Sequence, residues 1–355
     1  FNQAKITLSG IYRDQGDVKT ALQLAQSSLQ IALKHKKDTL EVRARNHIAL
    51  CYDKLGDTEQ AIREYELGLS RAIEIGDFFH QAMFEGNLAN SYGRVGRIDE
   101  ARQFFQAAIA RENALNPQAG GVAVAISNLG HLEISMGNYS AAWRALKKSH
   151  DLHLASGRVG RLCQDLIGLG SICMNTGRLD EAEEYLELAC TLARQRRSFV
   201  DLAFCSILAG QRCIFAGQLQ AATDRIEDAL RHSQRLGWLQ GEAVSWSLLG
   251  AIAIESRDYD RAEEHLEKAS TMLDARYLDD HAQVHAYKGR LALYRGDANS
   301  ARLHLAKGQE LMNRLNFGAK SPIGLELQRL DLEISKGSID QTDELSRKSG
   351  DLTVE

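Results

Sequence analysis

Small and large apolar residues return along this chain at helical spacing within segments, and the segments themselves return at a fixed interval. In the stretch NLANSYGRVGRIDEARQFFQAA (residues 87–108), Ala89 is followed by Tyr92, Gly96, Ala101, Phe105 and Ala108. Apolar positions three and four apart mark one face of an α-helix, so this phrase predicts two helices broken at the glycine. With that glycine as anchor, the phrase recurs at Gly16, Gly56, Gly96, Gly137, Gly177, Gly217, Arg257 and Gly296, in steps of 40, 40, 41, 40, 40, 40 and 39. A constant period in this range predicts a stack of repeated units.

The columns of the repeat hold one kind of residue each. Seven before the anchors stand Ser9, Ala49, Ala89, Gly130, Gly170, Gly210, Gly250 and Gly289, all small, as a close helix crossing requires. Five after them stand Ala21, Ala61, Ala101, Ala142, Ala182, Ala222, Ala262 and Ala301. A large residue follows four later (Tyr65, Phe105 and Leu186 among them) and a small one three after that. Asp99, Ser140, Asp180, Asp260 and Asn299 stand where the second helix is expected to begin, as N-cap residues do.

On these residues the chain resembles the tetratricopeptide repeat family, and Trp246, Leu249 and Gly250 reproduce that family's Trp-x-x-Leu-Gly opening. The resemblance is to a 40-residue class, longer than the usual repeat and without its closing proline, similar to Pins-type scaffolds, kinesin light chain and bacterial regulators. It implies an all-α, right-handed superhelical solenoid. Eight helix pairs are expected over 1–316, with a possible bend at 116–121. A capping helix is expected over 317–337, with Gly337 keeping the period, and a polar, frayed tail over 338–355.

Composition narrows the class. The chain has 355 residues and two prolines, and 43 basic against 47 acidic side chains leave a net charge of -4. No global field favours nucleic acid or a membrane surface, and no apolar run is long enough to cross a bilayer. The six cysteines fall among apolar neighbours without CxxC spacing, as reduced core thiols of a cytoplasmic protein do. The chain opens without methionine and, by its pattern, inside a helix, so it is expected to be part of a longer polypeptide.

No catalytic framework emerges. GxSxG, GxxxxGK[ST], HExxH and EF-hand patterns are absent from the sequence, and no cofactor or metal site is expected. The clusters 263–267 (Glu-Glu-His-Leu-Glu) and 279–281 (Asp-Asp-His) read as helix face and helix start. Glu133 stands in the column held by Tyr12, Tyr52 and Tyr92, where a carboxylate needs a partner, a proton or a path to water.

In the resembled family the first helices line the concave surface where peptides bind. By column, one end of that groove is expected to be polar and partly cationic: Arg43, Asn46, Asn87, Asn90 and Arg94. Beyond Asn128 and His131 follows an apolar floor with amides: Ile134, Gln164, Ile167, Met174, Phe204, Ile207, Gln211, Ile214 and Phe215. The asparagines either hold a bound peptide's backbone or bridge neighbouring helices, and both readings stay open. The expected function is a non-catalytic interaction module for a peptide or partner helix, another domain of the same full-length chain included. The alternative is the sensor domain of a larger transcription activator or protease.

Overall fold

The computed structural model describes residues 2–115, 120–157, 159–274 and 276–350, which form seventeen helices and, among the described residues, no strand. The first helices of the copies are α1 (Asn2–Asp14), α3 (Asp38–Leu55), α5 (Phe78–Arg94), α7 (Gly120–Ser135), α9 (Val159–Asn175), α11 (Phe199–Phe215), α13 (Leu239–Glu255) and α15 (Leu278–Tyr294). The second helices are α2 (Val18–Lys34), α4 (Thr58–Glu74), α6 (Ile98–Leu115), α8 (Tyr139–Ala155), α10 (Leu179–Gln195), α12 (Leu219–Leu236), α14 (Tyr259–Met272) and α16 (Ala298–Arg314). The last helix, α17, spans Pro322–Gly350. The chain is an all-α solenoid of paired helices.

Every anchor takes a left-handed backbone, from φ 71° at Gly217 to φ 91° at Gly16, with Arg257 at φ 61°. A second left-handed series lies between copies, at Lys36, Gly76, Gly157, Arg197, Gly237 and Asn316. The chain therefore reverses about every half repeat. Lys, Arg and Asn hide the second series from a search for glycines.

The columns explain the packing. All eight alanines after the anchors are 0 % exposed, so the paired helices approach to methyl distance. A Cβ on Gly210 would lie 2.3 Å from Ile226, and one on Gly250 2.7 Å from Leu266, so the glycine column makes room for the large column of the partner helix. Tyr65 and Phe84, both 0 % exposed, meet edge to face in the same way in the second and third copies.

The N-caps lie two residues earlier than the pattern predicts. Asp17, Asp57, Asp258 and Asp297 accept a backbone N–H of the first turn, whereas Asp180, Asp260 and Asn299 lie inside that turn. One residue is enough to leave the left-handed glycine and enter the helix, so the cap follows the anchor directly. The acids further in still face the positive end of the helix dipole.

The chain divides into two compact units, Phe1–Leu132 with Lys147–Arg158, and Glu133–Leu146 with Val159–Glu355. The core of the first gathers around Tyr65, Phe84, Leu88 and Tyr92. That of the second is largest around Ile226, Leu248, Ile252 and Leu266. Residues 116–119 of the expected bend lie outside the described residues. At the C-terminal end α17 runs through Gly337 to Gly350.

In the second unit the loop before α17 folds back onto the turn between α7 and α8. Tyr139 donates from its hydroxyl to the Lys320 carbonyl at 2.7 Å. A Cβ on Gly137 would lie 2.4 Å from the Lys320 carbonyl carbon.

Candidate functional site: the face of the first helices

The residues expected to line the groove fall into both units. In the first, Asn87 donates from Nδ2 to Asn46 Oδ1 at 3.2 Å, so this pair bridges α5 and α3. Arg94 is ion-paired with Asp53 and donates to Ser91 Oγ at 3.0 Å. Asp53 also accepts from the Tyr65 hydroxyl at 2.9 Å. Burial, and then the Asp53 charge, push the Tyr65 phenol far above its ordinary range. The expected cationic end is therefore partly neutralised. Arg43 and Asn90 are half-buried, with no side-chain ion pair or hydrogen bond among the described residues. Asn128 and His131 are half-buried in the second half of α7.

In the second unit, four members of the expected apolar floor are already covered: Ile134 is 7 %, Ile167 6 %, Met174 7 % and Ile207 6 % exposed. They stand three or ten residues before their anchors, in the seam where adjacent first helices pack side by side. Phe204 and Phe215 remain 37 % and 44 % exposed, and Ile214 is half-buried. Phe204 packs on Trp238 with ring centroids 4.6 Å apart. Gln164 is tied to Asp201, donating from Nε2 to Oδ1 at 2.7 Å.

A recess opens beside Phe215. Its walls are Gln211, Ile214 and Phe215 of α11, Leu248 and Ala251 of α13, Tyr287 and Arg290 of α15, and Glu326 and Arg329 of α17. Arg290, 2 % exposed, donates to Glu255 Oε1 at 2.9 Å and to Glu333 Oε2 at 3.2 Å. Arg329 reaches the same two carboxylates at 3.1 and 3.2 Å. Burial opposes the Arg290 charge, but the hydrogen bond to Glu255 and the Glu333 carboxylate outweigh it and raise the guanidinium's pKa. Burial opposes the Glu255 charge too, and its bond to Arg290 prevails, lowering that carboxyl's pKa. Glu326 differs: burial dominates over Arg290 and Arg329 and raises its pKa. Its Oε2 is shielded from solvent and has no hydrogen-bond partner.

The sequence pattern had placed Gln211, Ile214 and Phe215 here and missed Glu326, Arg329 and Glu333. The signal was a register. Gln211, Ala251 and Arg290 stand six before their anchors, Leu248 and Tyr287 nine before, Phe215 and Glu255 two before. Glu326, Arg329 and Glu333 take the same nine, six and two offsets when counted from Ser335, not from Gly337. The helix passes straight through Gly337, so that glycine marks no turn.

The candidate metal clusters are otherwise engaged. Glu263 pairs with Arg295, Glu264 with Lys268 and Glu267 with Lys288, while His265 packs on Trp246. Asp280 accepts from Gln240 Nε2 at 2.7 Å, and its carboxyl is pushed up to about 8 by burial and the Asp279 charge. Glu133, 6 % exposed, accepts from Asn138 Nδ2 at 2.7 Å, which supplies the partner its column demanded. All six cysteines are free and buried. Among the described residues no group of His, Cys, Asp and Glu could hold a metal ion, and no helix is long and apolar enough to cross a membrane.

Paired helices at a 40-residue period, with small residues at each crossing and a lined face on the first helices, define a helical repeat protein. Family models for the tetratricopeptide repeat match residues 80–155 and, in a second model, 42–72 and 166–196. The chain carries tetratricopeptide repeats in these segments. In fold it is similar to a Rap protein solved in complex with competence and sporulation factor, at 13 % identity and TM-score 0.63 over 95 % of this chain and 99 % of that one. It is likewise similar to aspartyl phosphate phosphatase F from Bacillus subtilis, at 16 % identity and TM-score 0.63 over 81 % of this chain and 75 % of that one. The third is NprR in complex with its cognate peptide NprX, at 14 % identity and TM-score 0.61 over 88 % of both chains. No curated protein matches the sequence.

Proposed function

We propose that the chain is a non-catalytic interaction module that binds a peptide or partner helix against its first helices, in the cytoplasm. The observation that carries this reading is the pair Phe204 and Phe215, 37 % and 44 % exposed on one helix, with Phe215 at the edge of a recess lined only by first helices and α17. Aromatic rings left open next to a recess are the usual anchors of an interface. The six free thiols suit a reducing compartment.

A second reading is that the module senses a peptide on behalf of a longer signalling protein. It draws support from the likeness in fold to NprR, solved with its cognate peptide.

The test is site-directed photocrosslinking in the native cell, with benzoylphenylalanine placed at position 215 or, as a control, at Leu188 on a second helix, 55 % exposed. Cross-links to the same peptide or protein from position 215, lost when Phe204→Ala is added, are the expected result. Cross-links from position 188 alone would move the binding surface to the second helices and overturn the reading.

A further inference from the structure

The recess holds one more acid than base. Glu255 and Glu333 are saturated by Arg290 and Arg329, and both guanidiniums are spent on them. Glu326 is left with a shielded Oε2 that meets no donor. Leaving a buried carboxylate oxygen unpartnered is unfavourable, and a single cation would bring the five side chains to charge balance. The walls otherwise offer apolar surface (Ile214, Phe215, Leu248, Ala251) and the polar tips of Gln211 and Tyr287.

Size selects the cation. The interior measures about 20 Å³, room for one group the size of a water molecule. An ammonium group has that size, while a guanidinium carries three nitrogens in a plane. We infer that the recess receives the ε-ammonium of a lysine from the bound peptide, with Glu326 as its acceptor and Phe215, Ile214 and Leu248 covering its methylene stem. A four-carbon stem matches this apolar approach, which a chain terminus lacks. The inference rests on the peptide-binding reading above and adds a residue preference to it.

The experiment is affinity selection of random heptapeptides on the full chain, read by mass spectrometry, with the library either N-acetylated or with free amino termini. Lysine is expected to be enriched roughly tenfold at one position of the bound N-acetylated peptides, above arginine and norleucine, and the enrichment is expected to vanish on ε-acetylation. In Glu326→Gln, which removes an unpaired buried charge and should fold, peptides are expected still to bind but without the lysine preference. Binding of acetylated peptides with no lysine preference would overturn the inference and leave the groove reading standing. Selection of free-amino peptides whatever their side chains would assign the recess to a terminus and overturn it as well. Failure of the folded chain to select any peptide would overturn both readings.

Discussion

Gly137 and Gly177 hold the same turn in successive copies, at φ 73° and 78°, yet they answer to different constraints. A Cβ on Gly177 meets nothing within 4 Å, whereas one on Gly137 runs into the Lys320 backbone. Gly177→Ala is expected to cost about 1 kcal/mol, the left-handed penalty alone. Gly137→Ala should cost that and the displacement of the 318–320 loop, at least 1 kcal/mol more, visible as a lower midpoint in denaturant unfolding. Equal costs would mean that the loop does not press on the turn. Arg257 offers the reverse case. Its φ of 61° strains a side-chain-bearing residue, so Arg257→Gly should leave stability unchanged or raise it by up to about 1 kcal/mol in the same measurement. The anchor turns were legible in the sequence because glycine signals them. The turns at Lys36, Arg197 and Asn316 were not, because their conformation is imposed by the helices on either side.

At the scale of elements, helix pairs could be read from the chain because each column must satisfy one neighbour at one distance. The register of the cap helix could not, since that helix has a partner on one side only and its register is set by what it touches. Leu330 meets Gly289, and Leu327 meets Gly308. These contacts turn Glu326, Arg329 and Glu333 toward the recess. Removing the shared cation there should be severe: Arg290→Met leaves Glu255 and Glu333 competing for Arg329, and a loss of about 3 kcal/mol is expected by thermal or denaturant unfolding. Glu326→Gln should act in the opposite sense. Its raised pKa means that folding favours the protonated acid, a contribution intact below the ordinary carboxylate pKa of about 4.3 and lost as pH rises through the folded value. The variant should therefore be more stable than wild type at pH 7, with the difference shrinking toward pH 4. A constant difference across that range would remove titration as its cause. Ile134, Ile167, Met174 and Ile207 are covered because a column pattern identifies which residues face the neighbouring first helix without telling how closely that helix approaches.

For the whole molecule, stability in a repeat array is close to a sum over copies and their interfaces, so opening should begin in the pairs with the fewest packed neighbours. Native-state hydrogen exchange is expected to show α1 and α2 exchanging ahead of α11 to α13, whose helices are covered on both sides. The second unit has an added tie, the contact of Tyr139 with Lys320. Tyr139→Phe should speed exchange in α16 and the start of α17 without altering α11 or α12, and exchange that changes equally throughout would count against a local tie. That tie spans 181 residues in a protein where most packing joins helices within about one repeat of each other. Each copy can form from its own surroundings, but this bond is made only when the right number of copies, each of the right length, stands between its partners. It therefore acts as a length gauge. Inserting or deleting one 40-residue copy between the fifth and eighth would leave every helix pair intact and carry Lys320 away from Tyr139, so the unit is held to a count that local packing alone would never enforce.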